Sequence, residues 1–105
     1  MASIMQGTTP VLKIAINPRD FLFSTVTKIE LYIQNNDRLE IYGMQDLTID
    51  FEENTMSKFF TEAETSALDR NSELIVQARF WFPDGCIAGI NKIVLNVADM
   101  LGVGN

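Results

Sequence analysis

Apolar and polar residues alternate with a period of two along most of this chain, which predicts short strands separated by turns. After Pro10, "VLKIAIN" sets Leu12, Ile14 and Ile16 on one face and Lys13 on the other. "VTKIELYIQ" sets Ile29, Leu31 and Ile33 against Lys28, Glu30, Tyr32 and Gln34. That is the pattern of a strand with one buried and one wet face. Asn35 to Asp37 supply turn chemistry. "RLEIYG" follows as the return strand of a hairpin, with Leu39 and Ile41 expected inward. "DLTIDFEEN" alternates through Leu47, Ile49 and Phe51, Asn54 marks a turn, and "TMSKFF" reads as a short strand. "SELIVQARFWF" carries the strongest pattern. Leu74, Val76, Ala78, Phe80 and Phe82 form one stripe; Glu73, Ile75, Gln77, Arg79 and Trp81 form the other. In Pro83 to Gly85, Pro presets φ and Gly takes the positive-φ position of a turn. "CIAGINKIVLNV" then returns as a final strand, with Gly89 a candidate bulge.

Between these strands the reading changes. Residues 1–10 read as a lead-in, and Pro10, which has no N–H to donate, suits the start of an edge strand. "PRDFLFSTV" reads as a connection whose Phe21 and Phe23 plug one end of the core. "TEAE" matches a capping box, Thr61 as N-cap and Glu64 three residues on, opening a helix of about two turns that ends near Asn71. The tail "ADMLGVGN" reads as a short helix or a frayed end. About seven short strands with turns at intervals of roughly 8–12 residues argue for an all-β, antiparallel, immunoglobulin-like β-sandwich with one short helical insertion. The Cys-Trp-Cys hallmark of antibody domains is missing, so only the architecture is expected. No linker or repeat divides the chain, and residues 1–105 read as a single domain.

Composition narrows the function classes. With 47% hydrophobic residues the chain can build a core without disulfides or metal. The formal charge of −6 disfavours nucleic acid and anionic membrane as partners. A single cysteine, Cys86, rules out an intrachain disulfide and fits a reducing compartment. No apolar run approaches a membrane-spanning length, and the N-terminus lacks the charged and continuous apolar regions of a signal peptide.

The chemistry-bearing residues are few. There is no histidine, so Ser-His-Asp and Cys-His catalysis are excluded, as are zinc sites of the Cys/His type. Catalytic residues, cofactors and metals are therefore all expected to be none. Cys86 reads as a small, semi-buried hydrophobe. Asp46, Asp50, Glu52 and Glu53 are oxygen ligands in kind, but they lack EF-hand spacing and alternate with apolar residues as a solvent face does. A glycosidase pair would need a cleft and a raised pKa. Gly7-Thr8-Thr9 precedes a strand, not the helix a phosphate loop requires. The aromatics remain. Tyr32 and Trp81 lie opposite the core stripes, and Tyr42 lies opposite Leu39 and Ile41. With Arg79 they suit a protein interface, sugar stacking, or ordinary cross-strand pairing.

Three segments taken in order carry a resemblance. "QGTTP" at the start, "FTEAETSALD" before the longest strand and "LIVQARFWFPDGCIAG" as the final hairpin cover nearly the whole chain. Together they resemble small structural proteins encoded in prophages of Gram-positive bacteria, and the immunoglobulin-like N-terminal domain of phage baseplate upper proteins. The resemblance implies a phage structural or accessory protein, not an enzyme, and carries over no catalytic residue. It implies protein–protein contact in virion assembly, at tail, baseplate or head–tail junction, with other phage structural proteins or a homo-oligomer as partners. It places the chain in the bacterial cytoplasm during assembly and then in the virion. The contact residues expected are Tyr32, Tyr42, Arg79 and Trp81. The alternative is a carbohydrate-binding β-sandwich that uses the same aromatics.

Overall fold

Two sheets enclose one apolar core in a computed structural model that describes residues 3–69 and 71–98. The strands are β1 (Ser3–Met5), β2 (Val11–Ala15), β3 (Lys28–Asn35), β4 (Arg38–Gly43), β5 (Thr48–Asp50), β6 (Thr55–Phe59), β7 (Glu73–Trp81), β8 (Ile87–Gly89) and β9 (Ile93–Ala98). One helix, α1 (Glu62–Ser66), lies between β6 and β7, and short 3-10 turns occupy Phe23–Thr25 and Met44–Asp46. The larger sheet runs β1-β9-β7-β3-β4, with β8 also on β7; the smaller runs β2-β6-β5. The alternating positions of β3 and β7 pack inward as their sequence requires: Ile29, Leu31, Ile33, Leu74, Val76, Ala78 and Phe80 are all buried. Ile14 and Met56 meet them from the smaller sheet.

The connection after β2 closes one end of this core. Phe23 is fully buried, and Phe21 packs with Phe23, Phe80 and Phe82 at centroid distances of 4.9–5.9 Å. Removing a ring of this kind costs about 3–5 kcal/mol. Asn54 holds the connection in place. Its backbone sits at φ 55°, where Asn is among the tolerated residues. Its buried side chain accepts from the Phe23 N–H (2.8 Å) and donates to the carbonyls of Ile16 and Phe21 (both 2.9 Å).

Several expectations need correction. Residues 1–10 are more than a lead-in, because Ser3–Met5 pairs in parallel with β9, which makes the larger sheet mixed rather than antiparallel. Leu39 and Ile41 point outward, 53% and 54% exposed, because the hairpin register places Tyr42 opposite buried Leu31. Phe51 falls in a turn and is exposed, since the Asp50 carboxylate draws the Glu52 and Glu53 N–H groups out of the strand. α1 is shorter than expected. It stops at Ser66, and the Asp69 N–H is captured by Asn35 Oδ1 (2.9 Å), so the chain cannot continue as helix towards Asn71. The final strand is interrupted. From Arg79 opposite Gly89 to Val76 opposite Ile93, β7 advances three residues and the returning chain four. The extra residue is a bulge at 90–92, just past Gly89. Most of the tail from Ala98 onward lies outside the described residues.

Candidate functional site

The outward face of the larger sheet gathers Tyr32, Arg79 and Trp81. Residues i and i+2 of a strand share a face, so Lys28, Glu30 and Tyr32 of β3 lie beside Trp81, Arg79 and Gln77 of β7 in that order. The Arg79 guanidinium carbon lies 5.2 Å from the ring centroids of both Tyr32 and Trp81, and the Lys28 ammonium lies 4.7 Å from Trp81. Cations and rings therefore alternate along the face, within cation–π range. Glu30 sits at the centre. Its carboxylate accepts from the Tyr32 hydroxyl and lies 3.7 Å from both Lys28 Nζ and Arg79 Nη2. Arg79 Nε donates to the Tyr32 oxygen at 2.8 Å.

These contacts set the ionisation of the face. The Tyr32 hydroxyl holds the Glu30 carboxyl below the usual range against some desolvation, and Lys28 and Arg79 add to this. Desolvation, then the Glu30 carboxylate, raises Tyr32. A carboxyl held ionised in this way is a poor general acid. The arrangement is instead a preorganised surface of mixed charge and aromatic area. Beside it lies a shallow groove of about 400 Å³, lined by Tyr32, Gln34, Leu39, Ile75, Gln77 and Arg79. Leu39 and Ile41 flank it on β4, and Ile87, also exposed, flanks Trp81 on β8.

Tyr42 does not belong to this face. It points to the opposite side of the sheet, towards α1, where its hydroxyl donates to Glu64 Oε2 (3.1 Å). Its ring lies 4.2 Å from the Lys58 ammonium. Lys58 is only 7% exposed, and its ammonium donates to both Glu64 oxygens at 2.9 and 3.1 Å. Glu64 also completes the capping box of α1, accepting from the Thr61 N–H at 2.8 Å. Burial pushes the Glu64 carboxyl up, but the Thr61 N–H, Lys58 and Tyr42 together bring it below the ordinary range. Burial first, then Glu64, pushes the Tyr42 hydroxyl well above the ordinary tyrosine range. The triad ties β4 of one sheet to β6 of the other through the helix.

Lys28, Glu30 and Lys58 were not singled out as site residues by the sequence pattern, and Glu64 and Tyr42 were expected as a helix cap and a contact residue, not as partners of Lys58. The hairpin turn held the signal for Tyr42. With Asn35 closing on Arg38, the buried positions of β3 fall opposite Glu40 and Tyr42, not Leu39 and Ile41.

The remaining candidates have local roles. Cys86 is exposed rather than semi-buried, because β8 begins only at Ile87 and the turn leaves the thiol in solvent. Its N–H donates to Asp84 (3.0 Å), which lowers the Asp84 pKa, and the Asp84 carboxylate raises the thiol. Asp46 caps the Met44–Asp46 turn by accepting from the Gly43 N–H. Among the described residues no group of three or more acidic or cysteine side chains is placed to hold a metal ion, and no helix is long and apolar enough to cross a membrane. Compared with protein-family models and with curated proteins, the chain matches none of them.

Proposed function

We propose that this domain is an immunoglobulin-like sandwich that serves phage or prophage virion assembly by protein–protein contact through the outward face of its larger sheet. The strand order supports the first part. β9-β7-β3-β4 against β2-β6-β5 follows the variable-type order, in which an added strand extends the sheet beyond its central pair. The parallel β1–β9 pairing is compatible with that plan.

Support for the phage reading comes from the three segments that carry the resemblance, two of which touch. Gln6 of "QGTTP" donates its side-chain N–H to the Leu68 carbonyl at 2.7 Å, and Thr65 of "TEAET" donates to the Thr8 carbonyl at 2.7 Å. Segments that form one clamp have a physical reason to occur together.

The observation that carries the contact reading is the Tyr32–Arg79–Trp81 ladder with Leu39, Ile41 and Ile87 exposed around it. Aromatic and arginine side chains on a rigid sheet lose little entropy on docking. The carbohydrate alternative has less support, because the Trp81 ring already has Lys28 and Arg79 within cation–π range. Particles purified after induction of the gene cluster that encodes the chain test this reading. The chain is expected in the particles, and the Tyr32→Ala/Trp81→Ala variant is expected to fold but to be lost from them. Particles free of the chain, or equal incorporation of the variant, would overturn the proposal. Glycan binding that the same variant abolishes would favour the alternative.

A further inference from the structure

We infer that β4 is a self-complementary edge through which two copies of this chain pair antiparallel about a two-fold axis at Leu39. This names a second copy as one partner of the domain, and it stands apart from the assignment to a virion.

The edge itself is the first observation. β4 ends the larger sheet, and its six residues keep an unbroken register with β3. An open edge of this length is ordinarily blunted by proline, a bulge, or charge on the exposed side chains. β4 has no proline and no bulge, and the residues it shows on the outward face are Leu39 and Ile41, both more than half exposed; its exposed charges, Arg38 and Glu40, lie on the other face and are opposite in sign. The other open edges are managed. β1, β5 and β8 are three residues long, and β2 follows Pro10 and presents Lys13.

Charge complementarity selects the occupant. Arg38 and Glu40 flank Leu39, and both are more than half exposed. Their mutual contact along the strand is long, at 4.0 Å, and so worth little. With Leu39 on the two-fold axis, each copy's Arg38 faces the other's Glu40, and the two leucines meet on the outward face. Opposite charges directly across a strand pair stabilise it and like charges oppose it. A strand with opposite charges on either side of a central apolar residue is therefore complementary to itself when reversed. A two-fold contact of this kind closes on itself; with Leu39 on the axis it pairs residues 38–40 of each copy, and 41–43 run past the partner's hairpin turn. The paired sheets would place both aromatic faces on the same side, next to each other.

Sedimentation velocity over a wide range of protein concentration tests the pairing. The natural chain is expected to form a dimer. Arg38→Glu and Glu40→Arg each create two like-charge pairs by symmetry, and each is expected to weaken the dimer about tenfold. Mixing the two variants restores opposite charges at both positions, and the mixture is expected to dimerise about tenfold more tightly than either variant alone. Arg38→Glu also removes a bond from Arg38 Nη1 to the Ala67 carbonyl (2.8 Å), so thermal melts accompany it. Glu40→Arg breaks no such contact and keeps the test decisive if the first variant is unstable. A monomer at every concentration, a dimer indifferent to Glu40→Arg, or a mixture no tighter than its components would each overturn the inference. Particles free of the natural chain, with its dimer intact, would count against the proposed function alone.

Discussion

The Thr65 hydroxyl, fully buried, donates to the backbone carbonyl of Thr8, 57 residues earlier in the chain. This bond and the one from Gln6 to the Leu68 carbonyl hold the segment after β1 against α1. Thr65→Val leaves the Thr8 carbonyl without its partner and is expected to cost about 1–3 kcal/mol in urea denaturation. Amide exchange in Ser3–Met5 should quicken more than in β3 or β7, because the clamp is local. An unchanged midpoint with unchanged exchange would remove the clamp from the account.

Lys58 and Glu64 are unequal partners. The Lys58 side chain is 8% exposed and that of Glu64 30% exposed. Glu64→Gln keeps the capping box but leaves the Lys58 ammonium buried without a counter-charge, at a cost of about 3 kcal/mol. Lys58→Met leaves a carboxylate that still accepts from Thr61 and Tyr42, and stays within about 1 kcal/mol of the natural chain. Equal losses in the two variants would contradict this asymmetry.

The same pair predicts a pH dependence. The folded Glu64 pKa is lowered, so folding favours its ionised form. Its contribution is fully present above the ordinary glutamate value of 4.5 and is lost as pH falls through the folded value. Glu30 and Asp84 are lowered as well and add to the acid limb. Stability measured against pH should therefore fall less steeply in Glu64→Gln below 4.5 than in the natural chain. Parallel curves would show that Glu64 does not contribute.

Asn54 is expected to tolerate no simple replacement. Asn54→Ala loses three buried side-chain bonds and places alanine at φ 55°. Asn54→Gly relieves the backbone but loses the same bonds. Both should cost about 3 kcal/mol or more by thermal denaturation, with glycine the milder. A glycine variant as stable as the natural chain would mean that backbone conformation alone fixes this residue.

Tyr42 and Trp81, similar in the sequence pattern, should behave oppositely. Tyr42→Ala opens a cavity beside Lys58 and is expected to cost about 2–4 kcal/mol, with partner binding kept in the folded fraction. Trp81→Ala removes a partly exposed ring and should change stability by no more than about 1 kcal/mol, while binding is lost. Reversed outcomes would move the contact surface to the side of the sheet that carries α1.

Much of the fold was legible because strands with one buried face announce themselves. Ile29, Leu31 and Ile33, and Leu74 through Phe80, fall inward as alternation requires. β4 was misread because its own alternation suits either face, and only the turn length decides which side faces the core. β1 was missed because three residues carry no period, and its partner lies at the far end of the sequence. Lys58 is inward against the usual preference of lysine. Its partners Glu64 and Tyr42 come from other elements, so no local pattern could reveal it. On the outward face, Tyr32, Arg79 and Trp81 were legible as polar-side positions, whereas the Glu30 hub depended on the pairing of β3 with β7.

Hydroxyl-radical footprinting of the free chain against the chain in purified particles tests the central claim most directly. The account predicts protection of Tyr32, Trp81 and Ile87, with Val11 and Phe59 on the smaller sheet left as reactive as in the free chain. Protection of Val11 and Phe59 with the outward face of the larger sheet still open would contradict it.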